Sequence, residues 1–240
     1  MKFSTKYAFY KEEKLAKKPE VSFLIRTFTK EDVEDCAKFI TKTDLASHPY
    51  YINLDWDFSR CEKFFLEYLR TYLEEERSLV AVIDGKIIGF IGARDYSRPS
   101  NFAFLYDNFP ELKRFDLGLD NIESNLKEFD KPNIPDEAAF VTTMVVDLEH
   151  QGLGVGGLLL NFINYSTKIK HFKKFLIEAA SLTSKRMIDK LGFKTLASVK
   201  YIDLLDEEGK KPFGDIYERL KKLGLAKEND VYSFHILERR

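Results

Sequence analysis

Four glycines fall within six consecutive positions of this chain, at Gly152, Gly154, Gly156 and Gly157. They follow a β-rich stretch at 138–146 and precede an apolar stretch of helical period at 154–170. A strand, a glycine loop and a helix in this order direct backbone N–H groups and the helix N-terminus at one small volume. Glycine also lets the main chain approach a ligand without an intervening side chain. The cluster therefore predicts an anion site that suits a pyrophosphate.

Two common phosphate-binding loops do not fit this cluster. A P-loop closes with Gly-Lys-Ser/Thr, whereas no lysine follows these glycines until Lys168. A dinucleotide-binding loop belongs to the first strand–helix turn of a parallel unit, whereas this cluster lies past the middle of the chain. The alternative without any ligand is a tight strand-to-helix turn that uses glycine for its geometry alone.

The hydrophobic periods predict a mixed α/β chain around this cluster. Asp84-Gly85 predicts a hairpin turn, and residues 43–54, which contain Pro49 and follow neither period, predict a loop. Gly192 is expected to end a helix. The predicted strands are 21–28, 78–84, 86–94, 138–146, 174–179, 193–205 and 231–237. A first helix is predicted to begin at Thr29, and further helices are predicted at 56–77, 154–170, 181–191 and 215–223.

Composition excludes several classes of protein. The 38 basic and 39 acidic residues give a net charge of −1, so no overall field favours nucleic acid as a partner. Cys36 and Cys61 cannot form a disulfide framework. No signal peptide and no membrane-spanning run is recognised, so we expect a cytoplasmic protein without a membrane partner. We expect a charged extension at 1–20 and one domain at 21–240, with a locally acidic insertion at 95–137.

Residues 144–156 read Met-Val-Val-Asp-Leu-Glu-His-Gln-Gly-Leu-Gly-Val-Gly. This stretch resembles the acyl-coenzyme A signature of the GNAT superfamily of N-acetyltransferases, whose pattern is Arg/Gln-x-x-Gly-x-Gly/Ala after the fourth strand. Gln151 holds the first position of the pattern, and Leu148 departs from the family, which often has proline there. The order of predicted elements over residues 21–238 fits as well. The resemblance implies a GNAT fold of the α/β (α+β) class, with a central, mixed, mostly antiparallel twisted sheet of about seven strands, flanked by helices and split between the fourth and fifth strands.

Within the superfamily, residues 184–193 and 199–203, with the acidic insertion, are similar to the arylalkylamine N-acyltransferases of insects and nematodes. This resemblance implies that an acetyl or short acyl group passes from acetyl-coenzyme A or a related thioester to a small primary amine. The amine would attack directly in a ternary complex, without a covalent enzyme intermediate. The oligomeric state is left open. The four histidines are dispersed along the chain, so no metal site is expected.

The resemblance also implies which residues contact the coenzyme. The main chain at Met144, Val145 and Val146 would bind the pantetheine arm and polarise the thioester carbonyl. The amides of the glycine loop would hold the pyrophosphate, through Gln151, Gly152, Leu153, Gly154, Val155 and Gly156.

The reaction requires a base, because an alkylammonium has a pKa of about 10 in solution. In the arylalkylamine enzymes a glutamate follows the first helix in a Glu-Pro-Leu context, where this chain reads Lys-Thr-Asp-Leu at 42–45. Depending on the register, Thr43 or Asp44 takes the place of that glutamate; we choose Asp44 as the base, with a turn-forming aspartate that caps local backbone as the alternative. Glu178 is the second candidate, and its alternative role is an ion pair with Lys173 or Lys174.

An acid can protonate the leaving thiolate. The arylalkylamine enzymes place two serines on the helix after the fifth strand; Ser184 matches the second, whereas Ala180 occupies the first. Ser184 is thus a candidate proton donor and equally a coenzyme contact, and Ser181 is a candidate N-cap. Tyr201 is another candidate donor, with a role in the core as its alternative.

The acceptor pocket is expected between residues 43–54, the second helix and the insertion. Tyr50, Tyr51 and Trp56 could stack on an aryl or apolar amine, although core packing would account for them equally well. Acidic residues of the insertion could attract the ammonium group. Two other functions stay open: a protein or peptide N-acetyltransferase of the same fold, and a non-catalytic protein that binds acyl-coenzyme A.

Overall fold

The computed structural model describes residues 10–97, 103–113, 135–163, 171–206, 208–225 and 231–238. Its strands are β1 (Tyr10–Leu15), β2 (Lys18–Thr27), β3 (Leu79–Ile83), β4 (Lys86–Asp95), β5 (Ala138–Val146), β6 (Lys174–Ala179), β7 (Lys194–Lys200) and β8 (Val231–Glu238). They form one sheet in the order β1-β2-β3-β4-β5-β6-β8-β7. Neighbouring strands are antiparallel except for β5 and β6, which run parallel. The expected mixed, mostly antiparallel sheet is confirmed, with one strand more than predicted.

Helices cover both faces of this sheet. They are α1 (Val33–Ser47), α2 (Pro49–Leu54), α3 (Phe58–Arg70), α4 (Ala103–Asn108), α5 (Val155–Ile163), α6 (Leu182–Lys190) and α7 (Ile216–Lys222). An aromatic-rich core that includes Phe65 and Phe90 lies between α1, α3 and the sheet. A second core, around Leu159 and Phe175, lies under α5 and α6. Because both faces are covered, a strand such as β3 is apolar along its whole length.

The additional strand comes from the predicted N-terminal extension. β1 pairs with β2 over residues 10–15, so this part of the extension belongs to the sheet. Its sequence, Tyr-Lys-Glu-Glu-Lys-Leu, lacks the apolar alternation that marks a strand. Charged residues are typical of an edge strand, because they discourage pairing with another chain. Leu15, at the end of β1, is buried in the core.

The predicted hairpin between β3 and β4 is confirmed. Asp84 and Gly85 form its turn with φ angles of 48° and 80°. A type I′ turn requires positive φ at both central residues, which Asp-Gly tolerates well. The backbone preferences of these two residues therefore determine the turn, as predicted from the sequence.

The prediction of a loop at 43–54 is wrong. α1 continues to Ser47, and α2 follows directly from Pro49. His48 is the N-cap of α2, and its side chain accepts a hydrogen bond from the Tyr50 amide. Pro49 therefore starts a helix rather than interrupting one, since proline at the first helical position has no N–H to leave unsatisfied.

Other boundaries moved by a few residues. α3 ends at Arg70, short of the predicted 77, and the strand expected from 193 to 205 ends at Lys200 and gives way to a 3-10 turn. Gly192, with φ 88°, follows α6 as predicted. Residues 1–9, most of the insertion and the end of the helix predicted to reach 170 lie outside the described residues.

The parallel pair β5–β6 determines where a site can form. Its register runs from Ala138 opposite Lys174 to Val141 opposite Ile177 and stops there. Beyond that point β5 continues to Val146 without β6 as a partner. The strands thus diverge in the middle of the sheet, as predicted for the fourth and fifth strands of the expected domain.

Candidate functional site

A cavity of about 1090 Å³ opens where β5 and β6 diverge. Its walls come from the end of β5, the glycine loop, the starts of α5 and α6, and the end of α1 with α2. Cavities that bind small ligands usually measure about 300–1000 Å³. This one therefore has room for two reactants.

The first two glycines of the loop are required by the backbone itself. Gly152 and Gly154 have φ angles of 70° and 92°, a region that L side chains rarely adopt. A Cβ added at Gly154 would also lie 3.1 Å from the Cβ of Ala16. Geometry alone therefore accounts for these two residues, whether or not a ligand binds.

The second two glycines have no such requirement. A Cβ at Gly156 would lie 3.5 Å from Met187 Sδ and from Val146 Cγ2, which are ordinary contacts, and a Cβ at Gly157 would meet nothing within 4 Å. Both glycines line the cavity in the first turn of α5. Their missing side chains leave a helix N-terminus bare, which is the geometry that an anion needs to reach backbone amides.

The end of β5 presents a free strand edge to the cavity. Met144, Val145 and Val146 pair with β4 on one side and line the cavity, while no described strand pairs with their other side. Gln151 braces this end, because its side-chain amide donates to the Val146 carbonyl at 3.0 Å. An extended ligand with amide groups can add to such an edge.

The structure brings most of the predicted coenzyme contacts together. Leu153 is the exception: it does not line the cavity, and its carbonyl accepts a hydrogen bond from the Ala16 amide at 2.9 Å. The cavity-lining members of the predicted set are Met144, Val145, Val146, Gln151, Gly152, Gly154, Val155, Gly156 and Ser184.

Asp44 lies in the last turn of α1 and lines the same cavity. Its side chain is buried, at 4% exposure, and its carboxylate makes no hydrogen bond or ion pair with any described residue. Burial raises the pKa of this carboxyl well above its usual range. The turn-capping alternative does not fit, since α1 continues past Asp44 and the backbone carbonyl, not the side chain, accepts from His48 N at 2.8 Å.

Glu178 and Tyr201 line the cavity beside β6. Lys174, one of the two lysines suggested as partners of Glu178, instead forms an ion pair with Glu137 at 3.1 Å. The Tyr201 hydroxyl donates to the Ala180 carbonyl at 3.2 Å. Burial, together with the charge of Glu178, raises the pKa of Tyr201 above its ordinary range. Tyr201 is 1% exposed and belongs to the aromatic core, so its alternative role in packing is confirmed.

Two serines lie at the start of α6. Ser181 is the N-cap, as predicted, and accepts from the Ser184 amide at 3.1 Å. Its own hydroxyl donates to Ser184 Oγ at 3.0 Å. Because Ser184 accepts this bond, its hydroxyl hydrogen is left to donate into the cavity that it lines.

The sequence did not indicate a hydroxyl cluster that joins α3 to β5. The Tyr68 hydroxyl lies 2.8 Å from Thr143 Oγ1 and 2.6 Å from the Tyr72 hydroxyl, and Tyr72 contacts Thr142 Oγ1. Burial raises the pKa of both tyrosines. The helical period of residues 56–77 indicates which face of the helix is buried, but it does not indicate the hydrogen-bond partners of the side chains on that face.

The predicted aromatic wall is formed in part. Tyr50 and Tyr51 line the cavity. Trp56 does not: its ring packs against Phe64 and its Nε1 donates to Glu111 at 2.8 Å. Trp56 therefore anchors the described part of the insertion rather than the acceptor pocket.

Two histidines also line the cavity. Burial lowers the pKa of His48 to about 4, so this imidazole is neutral at pH 7. His150 lies 2.9 Å from the Asp147 carboxylate, measured from Nδ1.

In the described ranges, no group of three or more His, Cys, Asp or Glu side chains is arranged to hold a metal ion. None of the helices that the structure describes is long and apolar enough to cross a membrane.

Comparison with known proteins identifies the domain. The model of the acetyltransferase (GNAT) family matches residues 43–193, more than half of the chain. The comparison with curated protein sequences gives no match.

Solved structures resemble the whole domain. Arylalkylamine N-acetyltransferase 2 from Aedes aegypti aligns with a TM-score of 0.71 and 15% identity over 90% of this chain and 98% of its own. The Drosophila melanogaster polyamine N-acetyltransferase aligns with a TM-score of 0.62 and 15% identity, over 90% of this chain and 100% of its own. The C-terminal condensation domain of Ebony, in complex with β-alanyl-dopamine, gives 0.66 and 13%, over 96% and 100%. At these identities the likeness shows the fold.

Proposed function

The chain belongs to the acetyltransferase (GNAT) family, and from this premise we propose that it transfers an acetyl or short acyl group from coenzyme A to a small primary amine. One observation carries the proposal: a single cavity joins a bare helix N-terminus, a free strand edge and a buried carboxylate. The first two features suit acyl-coenzyme A, and the third suits the cationic amine.

The coenzyme part of the cavity fits acetyl-coenzyme A. Gly156 and Gly157 leave the first turn of α5 bare although nothing in their surroundings excludes a side chain. A pyrophosphate at this turn would accept hydrogen bonds from the backbone amides, and the edge of β5 at 144–146 would hold the pantetheine arm. When bound, the coenzyme supplies an acyl group activated as a thioester.

Asp44 is proposed as the base. An ammonium that enters the cavity would provide the opposite charge that this carboxylate lacks among the described residues. A raised pKa makes a carboxylate a stronger base, which narrows the gap to an amine whose pKa is about 10. Asp44 would therefore both bind the cation and accept its proton.

Ser184 is proposed as the proton donor to sulfur. In the reaction the amine nitrogen bonds to the acyl carbon and the carbon–sulfur bond breaks. Asp44 takes one proton from the ammonium; Ser184 gives its hydroxyl proton to the thiolate and takes up the second proton, which the nitrogen loses as the amide forms. Glu178, which also lines the cavity, is the alternative base.

The lining of the cavity supports an aryl or apolar amine as the acceptor. Tyr50 and Tyr51 offer ring surfaces on the side where α2 closes the cavity. The mosquito and fly structures are named as an arylalkylamine N-acetyltransferase and a polyamine N-acetyltransferase. We propose the arylalkylamine class, because the rings of Tyr50 and Tyr51 can pack on an aryl group.

Two buried cysteines support a reducing compartment such as the cytoplasm. Cys36 and Cys61 are both free thiols with no exposed surface. Burial raises the pKa of each thiol, that of Cys61 to about 12. Because the thiolate is the reactive form of cysteine and the raised pKa keeps both thiols protonated, neither cysteine is suited to redox chemistry.

The test follows coenzyme A release from acetyl-coenzyme A with a panel of arylalkylamines, polyamines and peptides. We expect arylalkylamine-dependent release, and we expect Asp44→Asn to reduce kcat/KM by about 10²- to 10⁴-fold. Asp35→Asn, an exposed aspartate on the same helix, is the matched control and should leave the rate unchanged.

Each alternative has its own signature in this experiment. Thermal stabilisation by acetyl-coenzyme A without amine-dependent release would identify a non-catalytic binder. Release with peptides alone would identify a protein acetyltransferase. Equal activity of Asp44→Asn and the parent at every pH would exclude Asp44 as the base and leave Glu178→Gln as the next variant.

A further inference from the structure

The turn of the N-terminal hairpin lies directly on the glycine loop. β1 and β2 are joined by Ala16 and Lys17. The Ala16 amide donates to the Leu153 carbonyl at 2.9 Å, and the Ala16 side chain occupies the space beside Gly154, 3.1 Å from where a Cβ would be. The hairpin turn is thus held against the loop by a hydrogen bond and by close packing.

This contact brings a cation to the loop. Lys17 Nζ lies 4.0 Å from the position that a Cβ would take on Gly152, a glycine that lines the cavity. Lys17 is exposed and forms no ion pair with any residue that the structure describes. Its ammonium group therefore lies beside the loop without a described counter-charge, although Lys17 is not one of the residues that line the cavity.

The loop itself contains no charged side chain. Residues 151–157 read Gln-Gly-Leu-Gly-Val-Gly-Gly. The family has arginine or glutamine at the first position of the signature, and this chain has the uncharged Gln151 there. The side-chain amide of Gln151 donates its hydrogen bond to the Val146 carbonyl. Backbone amides at a helix end supply only about half a unit of positive charge. A pyrophosphate at the loop would thus lack a full counter-charge unless another element supplied it.

We propose that Lys17 binds the phosphates of the coenzyme, and that the β1–β2 hairpin is the element that delivers it. The inference rests on the proposed function, since it assigns a further residue to the same coenzyme site. Charge-assisted hydrogen bonds from lysine to phosphate are roughly twice as strong as neutral ones. The N-terminal hairpin is accordingly part of the binding site and not only an edge of the sheet.

The test measures coenzyme A binding by calorimetry at low ionic strength, with pantetheine as the phosphate-free probe. Lys17→Ala should raise the Kd for coenzyme A about five- to tenfold, and Lys17→Glu should raise it further. Lys17→Arg should retain the affinity, because it keeps the charge. Lys63→Ala, at an exposed lysine of α3, is the matched control and should have no effect.

Three outcomes decide the matter. A loss confined to coenzyme A, which shrinks as salt is added, would support the proposal. Equal affinities for Lys17→Ala and Lys63→Ala, or an equal loss with pantetheine, would overturn it and leave the proposed function intact. Failure of the parent protein to bind coenzyme A at all would refute both proposals.

Discussion

Gly156 provides a test of the glycine loop that separates ligand binding from folding. Gly154 is unsuitable, because a side chain there meets a backbone with φ 92° and the Ala16 side chain. A Cβ at Gly156 would make only ordinary contacts, at 3.5 Å, and this glycine lies in the first turn of α5. Replacement by alanine or leucine should therefore leave the fold intact, and only leucine should extend far into the cavity.

The magnitudes follow from this geometry. Alanine is favoured over glycine in a helix by about 0.5–1 kcal/mol, which raises the Tm of a domain of this size by about 1–4 °C. Leucine has a similar helical preference but would cover the amides at the start of α5. Each hydrogen bond to a charged acceptor contributes about 1.5–3 kcal/mol, so the loss of two corresponds to roughly 10²- to 10⁴-fold in affinity.

The assay pairs thermal unfolding of the ligand-free protein with calorimetric titration of coenzyme A. We expect Gly156→Ala to unfold slightly above the parent and to bind coenzyme A within about threefold of it. We expect Gly156→Leu to fold equally well and to lose binding. A folded Gly156→Leu variant that binds like the parent would refute the assignment of this loop to the coenzyme.

Three further predictions concern buried polar groups. Burial raises the folded-state pKa of Asp44, so the contribution of this carboxyl to the free energy of unfolding falls as the pH rises from about 4 through that pKa. In urea titrations over this pH range, Asp44→Asn should therefore gain stability relative to the parent. Parallel pH profiles of the two proteins would contradict the raised pKa. Tyr72→Phe removes one hydroxyl from the cluster with Tyr68 and Thr142 and should lower the free energy of unfolding by about 1–3 kcal/mol, whereas no change in urea titration would show that the cluster contributes nothing. His235 is fully buried, and its pKa is lowered to about 4. Its neutral form therefore contributes about 3 kcal/mol to the free energy of unfolding above about pH 6.5, and this contribution is lost as the pH falls through 4. His235→Gln should make the stability less dependent on pH in this acid range, and an unchanged pH dependence would refute the prediction.

Local signals in the sequence were sufficient for much of the fold. Asp84-Gly85 determines a turn by its own backbone preferences, and the uncharged run at 138–146 is a strand with the predicted bounds. β1 was missed because its charged sequence, which is typical of an edge strand, shows no apolar period, although Leu15 is buried. The end of α1 was missed because Pro49 looks the same in sequence whether it breaks a helix or starts one.

The candidate site was predictable where it consists of backbone and unpredictable where it depends on contacts between distant segments. The glycine loop and the edge at 144–146 follow from a motif that the chain carries in one stretch. The Lys17 contact spans well over a hundred residues of sequence and has no periodic signature. The hydroxyl of Tyr68 likewise finds its partners on β5 through tertiary packing alone.

The free edge of β5 also affects the tendency of this protein to aggregate. The outer edge of the sheet at β1 is rich in charge, whereas β5 reads Ala-Ala-Phe-Val-Thr-Thr-Met-Val-Val, without a charge or a proline. Such a segment is prone to cross-β association once it is exposed. The strand proposed to hold the coenzyme is thus an aggregation hazard in any partly unfolded state, and occupancy by the coenzyme would protect the chain from self-association as well as prepare it for catalysis.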